Sequence, residues 1–122
     1  MIDHISVGVT DVEAAKKFYA AALEPLGYTL GMEGEWGAGF NNSQGAPDFW
    51  IRSEKATTPA HVAFQAESRA SVSAFHEAAL AAGGRDNGAP GLRPHYHQNY
   101  FGAFVLDVDG HNIEAVCHKP DA

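Results

Sequence analysis

Apolar and polar residues alternate along segment 2–9, which predicts a half-buried strand with His4 on its polar face. The residues that follow have apolar side chains at helical spacing. A capping box at Thr10 and a stop at Gly27 bound the predicted helix. Three more strands are predicted in this half: two weaker, Gly-rich strands over residues 28–32 and 36–40, and an alternating one over residues 48–52.

The same order of patterns starts again after a short polar linker. Segment 60–66 alternates as a strand with His61 near its start, and a helix capped by Ser68 follows. The Gly-, Pro- and His-rich segment 85–98 is predicted as a loop. Two further strands are predicted, over residues 99–107 and 112–116.

The chain therefore reads as two copies of one strand–helix–strands unit, with the histidines at positions 4 and 61 lying 57 residues apart. We predict one domain over residues 1–122, with module one at about 1–55 and module two at about 59–118. The predicted class is α+β, with the helices packed outside one curved mixed sheet. The polar strand faces would then line a concave cleft that receives four side chains: His4, His61, Trp50 and Glu114.

Composition excludes several classes of partner. The formal net charge of −7 argues against nucleic acid and anionic membrane surfaces. The single cysteine, Cys117, rules out an internal disulfide and fits a reducing compartment. Since there is neither an apolar run of membrane-spanning length nor a signal segment, we expect a cytoplasmic protein.

Two imidazoles and a carboxylate on one sheet face form a ligand set for one divalent metal ion: zinc, iron(II), manganese, nickel or cobalt. Glu114 lies mid-strand between Ile113 and Ala115, and a buried carboxylate is costly unless it is paired or metal-bound. The alternatives without a metal are that Glu114 lies at the water-exposed rim of the fold and that the two histidines are polar residues of the core.

The loop before the sixth predicted strand, residues 99–107, carries a second set of candidate groups. His97 and Tyr100 are candidate acid–base residues, because imidazole titrates near neutral pH and a phenol can donate to an oxyanion. The alternative is a polar lid without chemistry. His111, after the Asp109-Gly110 turn, is expected to be exposed.

His4, His61 and the closing segment from Asp107 to Glu114, DVDGHNIE, resemble the vicinal oxygen chelate superfamily over essentially the whole chain. That superfamily holds glyoxalase I-type isomerases, bleomycin-resistance binders and extradiol dioxygenases. The resemblance implies paired βαβββ modules and usually a homodimer. It also implies a metal held by His4, His61 and Glu114.

One position departs from the glyoxalase pattern, because Trp50 stands where those isomerases carry a further glutamate ligand. The resemblance thus implies a metal-dependent lyase, isomerase or dioxygenase that acts on vicinal oxygens, with lactoylglutathione-type isomerisation disfavoured. The alternative is a non-catalytic binding dimer with an aromatic cleft. The candidate cleft residues are Trp36, Phe40, Trp50 and Tyr100.

Overall fold

The computed structural model describes residues 1–120, which form two α-helices, one short 3-10 helix and eight strands. The elements in chain order are β1 (Ile5–Val9), α1 (Val12–Leu23), a 3-10 turn (Glu24–Leu26), β2 (Thr29–Gly34), β3 (Gly37–Asn41), β4 (Pro47–Ser53), β5 (His61–Gln65), α2 (Arg69–Ala81), β6 (Arg85–Leu92), β7 (Phe101–Leu106) and β8 (Asn112–Cys117).

The strands make two four-stranded mixed sheets, ordered β1-β4-β3-β2 and β5-β8-β7-β6. In the first sheet β1 pairs with β4 in parallel, and in the second sheet β5 pairs with β8 in parallel. All other neighbouring strands are antiparallel. Each sheet with its helix is one βαβββ module, so the predicted α+β class and its duplication are confirmed. The predicted single curved sheet is replaced by two separate sheets.

Strand register makes the two modules equivalent residue by residue. Ser6 pairs with Trp50 across β1 and β4, as Ala63 pairs with Glu114 across β5 and β8. Ser6 and Ala63 each lie two residues after a histidine, His4 or His61. Trp50 therefore occupies the position in module one that Glu114 occupies in module two.

Both helices begin at a side-chain cap, as their sequences predict, but one cap lies one residue later. Asp11 Oδ1 accepts a hydrogen bond from the Ala14 amide at 3.1 Å, whereas Thr10 Oγ1 donates to Asp109 Oδ1 at 2.8 Å. Thr10 is thus engaged by the other module instead of by α1. Ser68 caps α2 as predicted, accepting from the Ser71 amide at 3.1 Å.

Segment 85–98 is not wholly a loop, because β6 occupies its first half. Glycine and proline lower the intrinsic strand preference there, but pairing with β7 supplies the backbone hydrogen bonds. The pairing shifts register twice, between Asp86 and Gly88 and between Gly88 and Gly91. An irregular edge strand of this kind tolerates Pro90.

The turn between β7 and β8 joins the modules through buried polar groups. The side chain of His111 is buried, contrary to expectation, since the turn folds back over β1 and carries the imidazole between the modules. Its Nε2 lies 2.8 Å from the Gly8 carbonyl oxygen, and its Nδ1 accepts from the Ala60 amide at 2.8 Å. Asp107 accepts from the His111 amide at 2.8 Å and from the buried Tyr19 hydroxyl at 2.5 Å.

One hydrophobic core serves both modules and lies on the helix-facing sides of the sheets. Phe64 of module two stacks edge-on against Tyr28 and Phe49 of module one, with ring centroids 5.4 and 5.1 Å away. The opposite sheet faces are left open. Neither helix within residues 1–120 has the length and apolar character that crossing a bilayer requires.

Candidate functional site

The Glu114 carboxylate is the centre of the candidate site in module two. It lies mid-strand in β8 and is 1% exposed. His61 Nε2 lies 2.8 Å from its Oε1, and the Tyr100 hydroxyl donates to its Oε2. An imidazole and a phenol therefore converge on one buried carboxylate, which offsets the cost of burying its charge.

The local chain path explains why these three groups meet. His61 opens β5, which runs parallel to β8 with Ala63 opposite Glu114. Since side chains alternate along a strand, His61 and Glu114 share the open face. Asn99 takes a left-handed backbone conformation (φ 65°) just before β7, and Tyr100 follows it directly.

The environment of Tyr100 keeps its phenol protonated at neutral pH. Burial raises the pKa of Tyr100 above its ordinary value, and the hydrogen bond to Glu114 together with the negative charge of that carboxylate raises it further. Tyr100 is therefore a hydrogen-bond donor to Glu114 across the neutral range.

The structure places His4 on the open face of module one, apart from the other two predicted metal ligands. Its Nδ1 lies 2.7 Å from Asp3 Oδ1, and its side chain lines a cavity of about 360 Å³ with Trp36 and Trp50. Over residues 1–120 no three His, Cys, Asp or Glu side chains converge as a metal site. A single chain thus presents the predicted ligands as two half-sites: His4 on one, His61 and Glu114 on the other.

A larger groove of about 910 Å³ runs between the modules, and His61 lines it together with residues at the start of β1. Sequence patterns did not indicate this groove, because it arises from the packing of one module on the other. It borders the His61 half-site, so a small molecule can approach that imidazole from this side.

The structure places one candidate cleft residue in the hydrophobic core instead. Phe40 is fully buried between the Tyr19 and Phe49 rings, with centroids 6.2 and 6.1 Å away. It faces the helix because alternation along β3 puts Gly39 on the open face, so Phe40 belongs to the core and not to a ligand cleft.

His97 differs from Tyr100 in its surroundings. Its side chain is exposed, its Nδ1 lies 2.6 Å from the Gln98 carbonyl oxygen, and its ring packs edge-on against His118 at 5.8 Å. Of the two candidate acid–base residues, Tyr100 contacts the buried carboxylate, and His97 has an exposed side chain beside His118.

Comparison with known proteins agrees with this architecture. A family model described as the Glyoxalase/Bleomycin resistance protein/Dioxygenase superfamily matches residues 1–115. A glyoxalase/bleomycin resistance protein from Albidiferax ferrireducens T118 is 30% identical, with a TM-score of 0.78 over 96% of this chain and 98% of that one. No curated protein gives a significant sequence match.

More distant solved structures share the fold. A glyoxalase-related enzyme from Fulvimarina pelagi is 20% identical, with a TM-score of 0.74 over 96% of this chain and 87% of that one. A lactoylglutathione lyase from Agrobacterium tumefaciens is 15% identical, with a TM-score of 0.71 over 96% of this chain and 92% of that one.

Proposed function

The chain belongs to the glyoxalase/bleomycin resistance protein/dioxygenase superfamily, and from that premise we propose that it is a metal-dependent enzyme acting on a small substrate with two neighbouring oxygens. The observation that carries the proposal is the buried Glu114 carboxylate with His61 Nε2 at 2.8 Å. Carboxylate oxygen and imidazole nitrogen are the donors that zinc, iron(II), manganese, nickel and cobalt accept.

The residues present fit a metal ion, provided that the two half-sites belong to different chains. His61 and Glu114 would supply two ligands, and the partner's His4 would supply the third. Catalytic sites keep three protein ligands and an open position, so this set suits substrate binding. When bound, the metal supplies Lewis-acid stabilisation of the anion formed from the chelated substrate.

A homodimer follows from the same division of ligands. Each chain leaves the open face of both sheets uncovered, including Trp36, which is 40% exposed. In a twofold dimer, module one of each chain faces module two of the other, so that one contact forms two equivalent sites. The substrate would then lie between the chains.

Among the candidate chemistries we favour a lyase or a ring-cleaving dioxygenase over a glyoxalase-type isomerase. Trp50 occupies the strand position equivalent to Glu114, so module one offers no carboxylate there to accept a substrate proton. The second candidate function is a non-catalytic binding dimer, which the neighbouring Trp36 and Trp50 rings, one exposed and the other half-buried, favour. Metal content separates the two.

Metal analysis of protein purified without chelator tests the proposal. We expect about one divalent ion per chain in the wild type and loss of most of it in His61→Ala and Glu114→Gln, because two ligands remain where catalytic sites keep three. His95→Ala, which removes an exposed imidazole, is the matched control. Equal metal content in wild type and His61→Ala would contradict the ligand assignment.

Tyr100 is expected to support Glu114 as a ligand. Removing its hydroxyl in Tyr100→Phe should weaken metal binding by about 10- to 100-fold, as is usual when a ligand loses its outer hydrogen-bond partner. Competition with a chromophoric chelator measures the change. Tyr96→Phe, an exposed tyrosine of the same loop, is the control, and equal affinities of the two variants would show that Tyr100 is a packing residue only.

A further inference from the structure

Two tryptophans form an aromatic platform on the open face of module one. The Trp36 and Trp50 ring centroids lie 5.8 Å apart, with an angle of 41° between the ring planes. Both line the cavity of about 360 Å³ that contains His4, and this volume suits a small organic molecule. The remaining lining residues are Asp3, Ser6, Pro47 and Arg52.

Two glycines hold this platform in place. A Cβ at Gly39 would lie 2.4 Å from Trp50 Cζ3, and a Cβ at Gly34 would lie 2.5 Å from Trp36 Nε1. Each indole thus rests directly on backbone, where any larger residue would displace it. Such support fixes the rings before a ligand arrives, which lowers the entropic cost of binding.

At the equivalent place in module two, the large aromatic side chain lies on the neighbouring strand instead. Gly39 pairs with Trp50 in module one, and Phe104 pairs with Glu114 in module two. Module one therefore combines a large aromatic ring with a glycine, where module two combines a carboxylate with a phenyl ring. The half-sites have different chemistry: one presents a carboxylate and the other presents an aromatic surface.

A cation stands beside the platform. Arg52 follows Trp50 by two residues on β4, so both side chains lie on the open face, and both line the cavity. Arg52 takes part in none of the salt bridges among residues 1–120. Asp3 is the one carboxylate within residues 1–120 that lines the cavity, and its Oδ1 lies 2.7 Å from His4 Nδ1.

We propose that this platform binds a planar aromatic carboxylate, with its ring on the Trp36 and Trp50 indoles and its carboxylate on the Arg52 guanidinium. Offset and edge-on ring contacts favour a planar ligand over a saturated one. A guanidinium forms paired hydrogen bonds with a carboxylate, and Arg52 places one at this cavity in a chain whose formal net charge is −7. A quaternary ammonium ion would also bind indole faces, but Arg52 would repel it.

The proposal needs no metal, so it is tested on protein as purified and again after chelator treatment. Isothermal titration calorimetry with 2-naphthoate should give saturable binding in both preparations. Binding should be at least about tenfold weaker for cyclohexanecarboxylate, which has no planar ring, and for uncharged 2-naphthamide. Failure of the metal assignment would leave these results unchanged.

Three variants locate the ligand. Arg52→Gln should weaken 2-naphthoate about tenfold or more while leaving 2-naphthamide unchanged, because only the charged contact is lost. Trp50→Leu should weaken both aromatic probes, and Gly39→Ala should do the same by displacing the Trp50 ring. Arg85→Gln, at an exposed position of β6, is the matched control, and thermal unfolding verifies that each variant is folded.

Several results would overturn the proposal. These are no binding of 2-naphthoate at millimolar concentration, equal affinity in wild type and folded Arg52→Gln, or tighter binding of tetramethylammonium than of 2-naphthoate. A platform covered by the second copy of the chain would give the first result, and Trp50→Leu would then weaken dimerisation in sedimentation measurements.

Discussion

A mixture of two metal-deficient variants, His4→Ala and Glu114→Gln, is expected to regain metal in about one quarter of its sites once the subunits exchange, if the dimer is a closed twofold one. Each variant alone loses one of three ligands from every site. In a mixed dimer, one site carries both substitutions, and the other joins an unaltered His4 to an unaltered His61 and Glu114.

The expectation follows from the separation of the half-sites. His4 lines a cavity with Trp36 and Trp50, while His61 contacts Glu114 on the other module. If each site formed within one chain, every site in the mixture would retain a substitution and no metal would return. Recovery therefore distinguishes a shared site from a single-chain site.

A second mixture supplies the control. His61→Ala and Glu114→Gln alter the same half-site, so every site in their mixed dimers lacks a ligand, and no recovery is expected. Native mass spectrometry reports whether mixed dimers have formed, and metal analysis reports the occupied fraction. Mixed dimers of His4→Ala and Glu114→Gln that bind no metal would contradict the shared site.

The sequence predicted side-chain directions correctly in strands where apolar and polar residues alternate with a period of two. The polar face of β8 follows from Ile113 and Ala115, which fixes the direction of Glu114, and the same period in β5 fixes that of His61. Their contact at 2.8 Å needs only the parallel pairing of these strands. The composition of the C-terminal half-site was therefore predictable.

The same patterns could not decide how the modules dock. His4 immediately precedes β1 and lies on the predicted face, but its distance from His61 depends on contacts between modules, such as that of Phe64 with Phe49. Phe40 was misassigned because β3 is Gly-rich and its polar residue, Asn41, lies at the very end of the strand, where the register shifts. Docking and register in such segments are properties of tertiary packing.

The burial of His111 was also not predictable from the sequence, for the same reason. Substitution of this residue is expected to have a large effect on the free energy of unfolding. The Asp109-Gly110 turn predicts an exposed histidine after it, and only the folded chain reveals that this turn docks on β1. The Ala60 amide is a donor, so His111 Nδ1 must accept and Nε2 must carry the hydrogen that goes to the Gly8 carbonyl. One neutral imidazole thus bridges the two modules.

We expect His111→Ala to lower the free energy of unfolding by about 2–4 kcal/mol, since it removes both hydrogen bonds and leaves a cavity at a buried position. His95→Ala, which removes the same side chain from an exposed position, should change it by less than about 0.5 kcal/mol. Urea unfolding at one fixed protein concentration measures both, because the stability of any protein that dimerises depends on concentration.

A less disruptive variant keeps the test decisive if His111→Ala does not fold. Asp109→Ala removes the acceptor for the Thr10 amide and hydroxyl, at 3.1 and 2.8 Å, from the more exposed end of the same junction. Its expected cost is about 1 kcal/mol, the usual net value of such hydrogen bonds. If both variants unfolded at the same urea concentration as the wild type, the turn would not be what holds the two modules together. The aromatic contacts of Phe64 would then have to account for the docking of one module on the other.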